Sequence, residues 1–159
     1  MQEAPSRTFT WSAAITMAAI GGAAAVAGVF LGWWQADAYR TSEIFGREQV
    51  EVRMLLGTSH WSGAAAVVLG ALVTIAALAG LVLSPEVRRV AAIAALGGGI
   101  LILVAAALGF AQASGVAEAK VGGAGLGVDG SAAGGLCVSA IGGLVAAAGG
   151  FLAPQTVET

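Results

Sequence analysis

Four segments of this chain contain no Asp, Glu, Lys or Arg: Thr8–Ala36, Met54–Pro85, Val90–Ala117 and Gly130–Val157. Each runs for at least 28 residues, whereas an α-helix needs roughly 20 apolar residues to cross about 30 Å of hydrocarbon. Backbone groups in lipid must pair within their own segment, so each stretch reads as a membrane-spanning helix. The flanking residues place the spans at 11–34, 59–83, 85–112 and 131–153, with loops at 35–58 and 113–130. Composition excludes a water-soluble globule: 58% of residues are hydrophobic and 10% charged, against about 25% charged in soluble domains. The expected fold is an all-α integral membrane protein, a single four-transmembrane-helix bundle over residues 1–159. The apolar stretch of the first span exceeds the roughly 7–15 residues of a signal-peptide core, which argues against a cleaved leader.

Ser84-Pro85-Glu86-Val87-Arg88-Arg89 joins spans two and three. Ser84 suits a helix N-cap, Pro85 the first helical position, and Glu86 the positive end of the helix dipole. The connection is therefore a tight hairpin, and its two arginines are the clearest positive-inside signal. With an even number of spans, both termini are expected in the cytoplasm and the loops at 35–58 and 113–130 outside, in the plasma membrane of the cell. Trp11, Trp33, Trp34 and Trp61 stand at expected span ends, where amphipathic indoles favour the membrane interface.

Both outer loops contain alternating runs, Gln49–Met54 and Ala117–Val121. Alternation with period two points to short strands, and the two runs are expected to pair into a small extracytoplasmic sheet. Nearly half the charge of the chain falls between Asp37 and Arg53. There Asp37/Arg40 and Glu43/Arg47 have i,i+3 and i,i+4 spacings that suit ion pairs on a short helix. One reading makes this loop a docking surface, with Tyr39, Ile44 and Phe45 as apolar anchors and Arg40 and Arg47 as charged contacts. The plainer reading is a solvated connection.

Glycine supplies 25 residues, more than twice the usual share of about 7%. In span four the doublets Gly134-Gly135, Gly142-Gly143 and Gly149-Gly150 recur on nearly one helical face,. Such a stripe lets another helix approach closely. Gly135, Gly142, Gly143 and Gly150 thus become candidate contacts, either with a helix of another protein or with a span of the same chain.

Chemical motifs are sparse. Gly125-Leu-Gly-Val-Asp-Gly130 matches the dinucleotide pattern G-x-G-x-x-G, but no acidic residue follows about 20 positions later, and the next helix is a span,. His60 is the only histidine and Cys137 the only cysteine. His60 reads as an interface residue and Cys137 as a small core residue. Neither a metal site nor a cofactor is expected, and a net charge of −2 argues against nucleic acid as a partner. No charged residue falls in the expected membrane cores, where coupled transporters and proton relays place them. An enzyme or a lone secondary transporter is therefore disfavoured.

Two function classes remain. One is a non-catalytic accessory or scaffolding subunit of a larger membrane complex, with other integral membrane proteins and membrane lipids as partners. The other is a small homo-oligomeric pore or lipid-binding protein. Gly32-Trp33-Trp34 at the end of span one and Val87-Arg88-Arg89 in the hairpin, set in this topology, resemble small four-span membrane proteins of actinobacteria, including the tryptophan-operon-associated family. That resemblance implies a four-span fold with strand-bearing outer loops and no catalytic residues. The role it implies is poorly defined; small four-span subunits of this kind would suit a respiratory supercomplex or a cell-envelope lipid transporter.

Overall fold

The computed structural model describes residues 10–42, 44–121 and 126–155. Four helices in it are long and apolar enough to cross a membrane. They are α1 (Trp11–Phe30), α2 (Trp61–Val82), α3 (Pro85–Val121) and α4 (Gly134–Gln155). Three strands join them: β1 (Trp34–Ser42), β2 (Gly46–Leu55) and β3 (Gly127–Ala132). Each helix packs against its neighbours in a ring α1-α2-α3-α4, closed by α1 on α4.

Local chemistry explains the helix ends. Thr10 caps α1 by accepting the Ala13 N–H on its Oγ1 at 3.4 Å. The other end of α1 stops at Gly32, whose φ of +92° lies in the left-handed region where glycine avoids a Cβ clash. Only Leu83 and Ser84 separate α2 from α3, and the Ser84 carbonyl accepts the Arg88 N–H at 3.2 Å. The tight hairpin read from Ser84-Pro85-Glu86 is therefore present. At that end the Arg88 guanidinium lies 5.0 Å from the Trp11 ring centre, a cation–π arrangement. Trp11 also covers Gly80 of α2, where an added Cβ would lie 3.3 Å from the indole.

Span one was expected to run to residue 34, but α1 ends at Phe30 and Trp34 opens β1. The sheet has the order β2-β1-β3 and is antiparallel throughout. Gly46, at φ +72°, turns the β1–β2 hairpin, which replaces the short helix expected from the charge spacing at 37–47. Trp34, Ala36 and Ala38 are fully buried, while the intervening Gln35, Asp37 and Tyr39 are not. That period-two alternation of β1 sets one sheet face on the bundle. Weak i,i+4 ion pairs, worth tenths of a kcal/mol, do not outweigh it.

The second expected strand is also corrected. Residues 117–121 belong to α3, and the strand that joins β1 is β3, at 127–132. Between Gln112 and Val121, Ala113, Val116 and Ala117 are buried. Their i, i+3, i+4 spacing is that of a helix face packed under the sheet. The five alternating residues 117–121 formed too short a window to compete with an Ala-rich helix. The segment 113–130 is thus largely helix and strand rather than loop.

The glycine doublets show how the bundle closes. Adjacent residues on an α-helix point about 100° apart, so the members of Gly142-Gly143 and Gly149-Gly150 serve two neighbours, while Gly134 meets nothing within 4 Å. A Cβ on Gly142 would sit 2.5 Å from Ala25 N and 2.6 Å from Gly21 O of α1. One on Gly143 would sit 2.9 Å from Ile102 Cγ2 of α3. Gly135 and Gly149 face α1 as Gly142 does, while Gly150 faces α3, 2.7 Å from Ala92 O. The same division recurs on α1, where Gly21 meets α4 and Gly22 meets α2. Backbone-to-backbone approach of this kind is what lipid leaves as a driving force for helix association.

Candidate functional site

The sheet end of the bundle gathers most of the polar chemistry and is anchored by two tryptophans. Trp33 and Trp34 are fully buried and meet edge to face, their ring centres 5.6 Å apart. Trp33 Nε1 donates to Ser139 Oγ at 3.1 Å, and Ser139 Oγ donates onward to Ala25 O at 2.9 Å. Trp34 Nε1 donates to Gly109 O at 2.8 Å. An indole gives large apolar burial plus one donor that must be satisfied inside, and both donors are. The lipid-interface role expected for Trp33 and Trp34 is therefore incorrect, because neither ring reaches the surface. Trp61 is 57% exposed and Trp11 is half-buried. Among the core groups, Ser139 had no sequence signal beyond its place in a small-residue stripe.

Residues proposed as docking contacts separate into two groups. Gly135, Gly142, Gly143 and Gly150 are occupied by α1 and α3 of the same chain. The stripe is thus an internal packing surface, and its use as a partner face is withdrawn. Cys137, read as a core residue, is exposed on α4. The hairpin residues face outward instead. Ile44 is 84% and Phe45 82% exposed, and Arg40 is also exposed.

On the outer sheet face, Tyr39, Arg47, Gln49, Asp37 and Asp129 form one cluster around a depression of about 240 Å³. Asp37 and Asp129 stand directly opposite on β1 and β3, a placement that repels unless answered. Arg47 answers Asp129 with a salt bridge. Its guanidinium also lies 3.3 Å from the Tyr39 ring centre. Gln49 and Gln35 donate to Asp37 Oδ1 at 3.1 and 3.2 Å. Tyr39 in turn lies across its strand partner Gly127, which has no side chain to obstruct the ring. Arg47 was expected to pair with Glu43 along a helix, but its partner comes from 82 residues away. Glu43 lies outside the described residues.

A register shift between Ala38 and Tyr39 leaves Val50 as an extra residue on β2. Such bulges twist an edge strand and blunt its pairing with other chains. Val52 and Met54 share the outer face with Gln49 and are 52% and 58% exposed. The hairpin thus carries apolar side chains at its tip and along one side, with a compact ion-pair cluster between.

No family model, curated protein or solved structure matches the chain. Among the described residues, no group of three or more His, Cys, Asp or Glu is placed to hold a metal ion.

Proposed function

We propose that the chain is a non-catalytic accessory or scaffolding subunit of a larger membrane protein complex, engaged through the β1–β2 hairpin. The observation that carries this reading is the hairpin tip, where Ile44 and Phe45 are 84% and 82% exposed. Adjacent large apolar side chains on an extramembrane projection are costly in water and favourable once covered by a partner. We take the partner to be an integral membrane protein, since four spanning helices would hold the hairpin close to the membrane surface. We place the chain in the plasma membrane with both termini cytoplasmic. Arg88 and Arg89 beside the α2–α3 hairpin support that orientation,, which sets the sheet on the opposite, extracytoplasmic side. The resemblance to four-span actinobacterial proteins is consistent with this role.

The test is purification from the native host in a mild detergent through a C-terminal tag, with the Ile44→Asp/Phe45→Asp variant run in parallel. The expected result is stoichiometric co-purification of other membrane proteins with the wild type. The variant should insert normally and lose those proteins by at least tenfold. A discrete homo-oligomer without other proteins would overturn the proposal and move the weight to a pore or lipid-binding role.

A further inference from the structure

A second feature of the sheet end lies away from the hairpin, in a groove of about 530 Å³ between the start of α2 and the last turns of α3. His60 and Trp61 form one wall, and Gln112 and Ser114 stand on the other. The His60 and Trp61 rings are tilted by 46° with centres 6.0 Å apart. Among the described residues, no Asp, Glu, Lys or Arg lines the groove. Gln112 Oε1 is buried, and no described donor reaches it. A buried carbonyl oxygen without a donor is costly, and native structures seldom keep one without a use.

Position narrows what fits. At about 1.5 Å per residue α3 is roughly 55 Å long, far more than the ~30 Å of a hydrocarbon core. If the α2–α3 hairpin sits at one membrane surface, the Gln112 region of α3 lies at head-group depth on the other. Toward the hairpin, Val68 and Leu72 on α2 and Val104 and Leu108 on α3 are exposed. Spacings of three and four residues stack them in line with Trp61 and with Gln112. The groove therefore joins a polar, uncharged head site to an apolar track.

We propose that this groove binds an uncharged membrane amphiphile with a hydroxyl in its head group, the Gln112 side chain turning into the groove so that its Oε1, buried in the unliganded chain, accepts the hydroxyl. The chain of the amphiphile lies along the exposed faces of α2 and α3. A phosphate head is disfavoured because no described residue that lines the groove is a cation. A carboxylate cannot donate to Gln112 when ionised. Two sources supply the required chemistry: the glycerol hydroxyl of a diacylglycerol and the phenolic hydroxyl of a quinol. The aromatic wall of His60 and Trp61 accepts either, by covering the glycerol carbons or by stacking on the ring. This site is independent of the hairpin and rests only on the membrane-spanning reading.

The test uses the purified full-length chain in lauryldimethylamine oxide, a detergent without hydroxyls, and calorimetric titration with two matched pairs of probes. One pair is a short-chain diacylglycerol and its methyl ether. The other is a short-chain ubiquinol, kept reduced, and the corresponding quinone. Saturable binding of a hydroxyl-bearing probe, about tenfold tighter than its donor-free counterpart, is expected for at least one pair, and that pair names the source. Gln112→Leu should abolish the tenfold preference, while Gln112→Glu, which keeps an acceptor, should retain it. His60→Phe should weaken both members of the pair equally, since it removes a groove contact but not the acceptor. Equal affinity within both pairs, a preference that survives Gln112→Leu, or no saturable binding at all would overturn the proposal.

Discussion

The two halves of the bundle interior are built from different materials. Toward the α2–α3 hairpin the core is mainly alanine, including Ala14, Ala18, Ala77, Ala92, Ala95 and Ala153, with Ile15, Val73 and Ile102 as the larger members. Toward the sheet it is organised around Trp33 and Trp34, with Val29, Leu136 and Val116 against them. In the first half the helices touch nearly backbone to backbone, and dispersion and shape fit hold them. In the second half α1 and α4 still meet closely at Gly28 and Gly135, but indoles whose N–H groups are tied to Ser139 and Gly109 fill the space toward α3. The difference follows from what each half must do. A seam between apolar helices needs only close fit, whereas the sheet end must seat a cap of polar strands on an apolar bundle. A large side chain with one satisfied donor makes that junction.

The sharpest way to break the comparison is to put bulk into the backbone seam. Gly142→Leu drives a side chain into Ala25 N and Gly21 O, neither of which can move without displacing α1. The expected outcome is loss of monodisperse folded protein, seen as at least a tenfold drop in the size-exclusion peak. Gly97→Leu is the control, since nothing lies within 4 Å of a Cβ there, and it should fold as the wild type does. If both variants behaved alike, the doublets would not be a seam.

At the tryptophan end the effect should be smaller but still large. Trp34→Ala removes a fully buried indole and should cost about 3–5 kcal/mol of stability, read as a fall in Tm. Amide exchange in residues 34–42 should rise further than in α1. Next comes Ser139→Ala, which leaves the Trp33 Nε1 donor buried without its partner. The expected cost is roughly 1–3 kcal/mol, with a shift in tryptophan fluorescence. The smallest effect is expected from Asp129→Asn, which weakens a salt bridge whose side chains are 53% and 63% exposed. Exposed pairs of this kind contribute about 0–1 kcal/mol, so Tm should change little.

These regions also differed in how far the sequence revealed them. The four helices were legible because charge is excluded from hydrocarbon so strongly that its absence over long segments is itself a signal. The glycine doublets were legible as contact faces, with a span of the same chain and a helix of another protein both left open. A small-residue stripe has the same pattern whichever helix covers it, and only the three-dimensional ring shows that α1 and α3 do. The sheet was half legible. Residues 49–54 were read as a strand and fall within β2, but β1 was hidden under charge spacings that suited a helix. Its own signal, Trp34, Ala36 and Ala38 alternating with Gln35, Asp37 and Tyr39, was present throughout. Strand β3 was hidden in a glycine-rich run, because Gly127 and Gly130 serve as clearances for Tyr39 and for Ala117 of α3. Such clearances cannot be seen until the partners are known. Trp33 and Trp34 were misplaced for a related reason. Tryptophan at the end of an apolar segment fits both an interface belt and a buried wedge, and what separates the two is the donor partner, Ser139 or Gly109.

With the glycine faces occupied inside the chain, the proposed partner recognition falls to the hairpin tip, and site-specific photo-crosslinking in the native membrane tests this most directly. A photoreactive phenylalanine analogue would replace, one at a time, Phe45 at the tip, Leu72 on α2 and Leu144 on α4, which are 82%, 58% and 59% exposed. The account predicts a discrete adduct with another membrane protein from position 45, and at most lipid adducts from 72 and 144. Protein adducts from 72 or 144 with none from 45 would contradict it, and would return the interface to the helices.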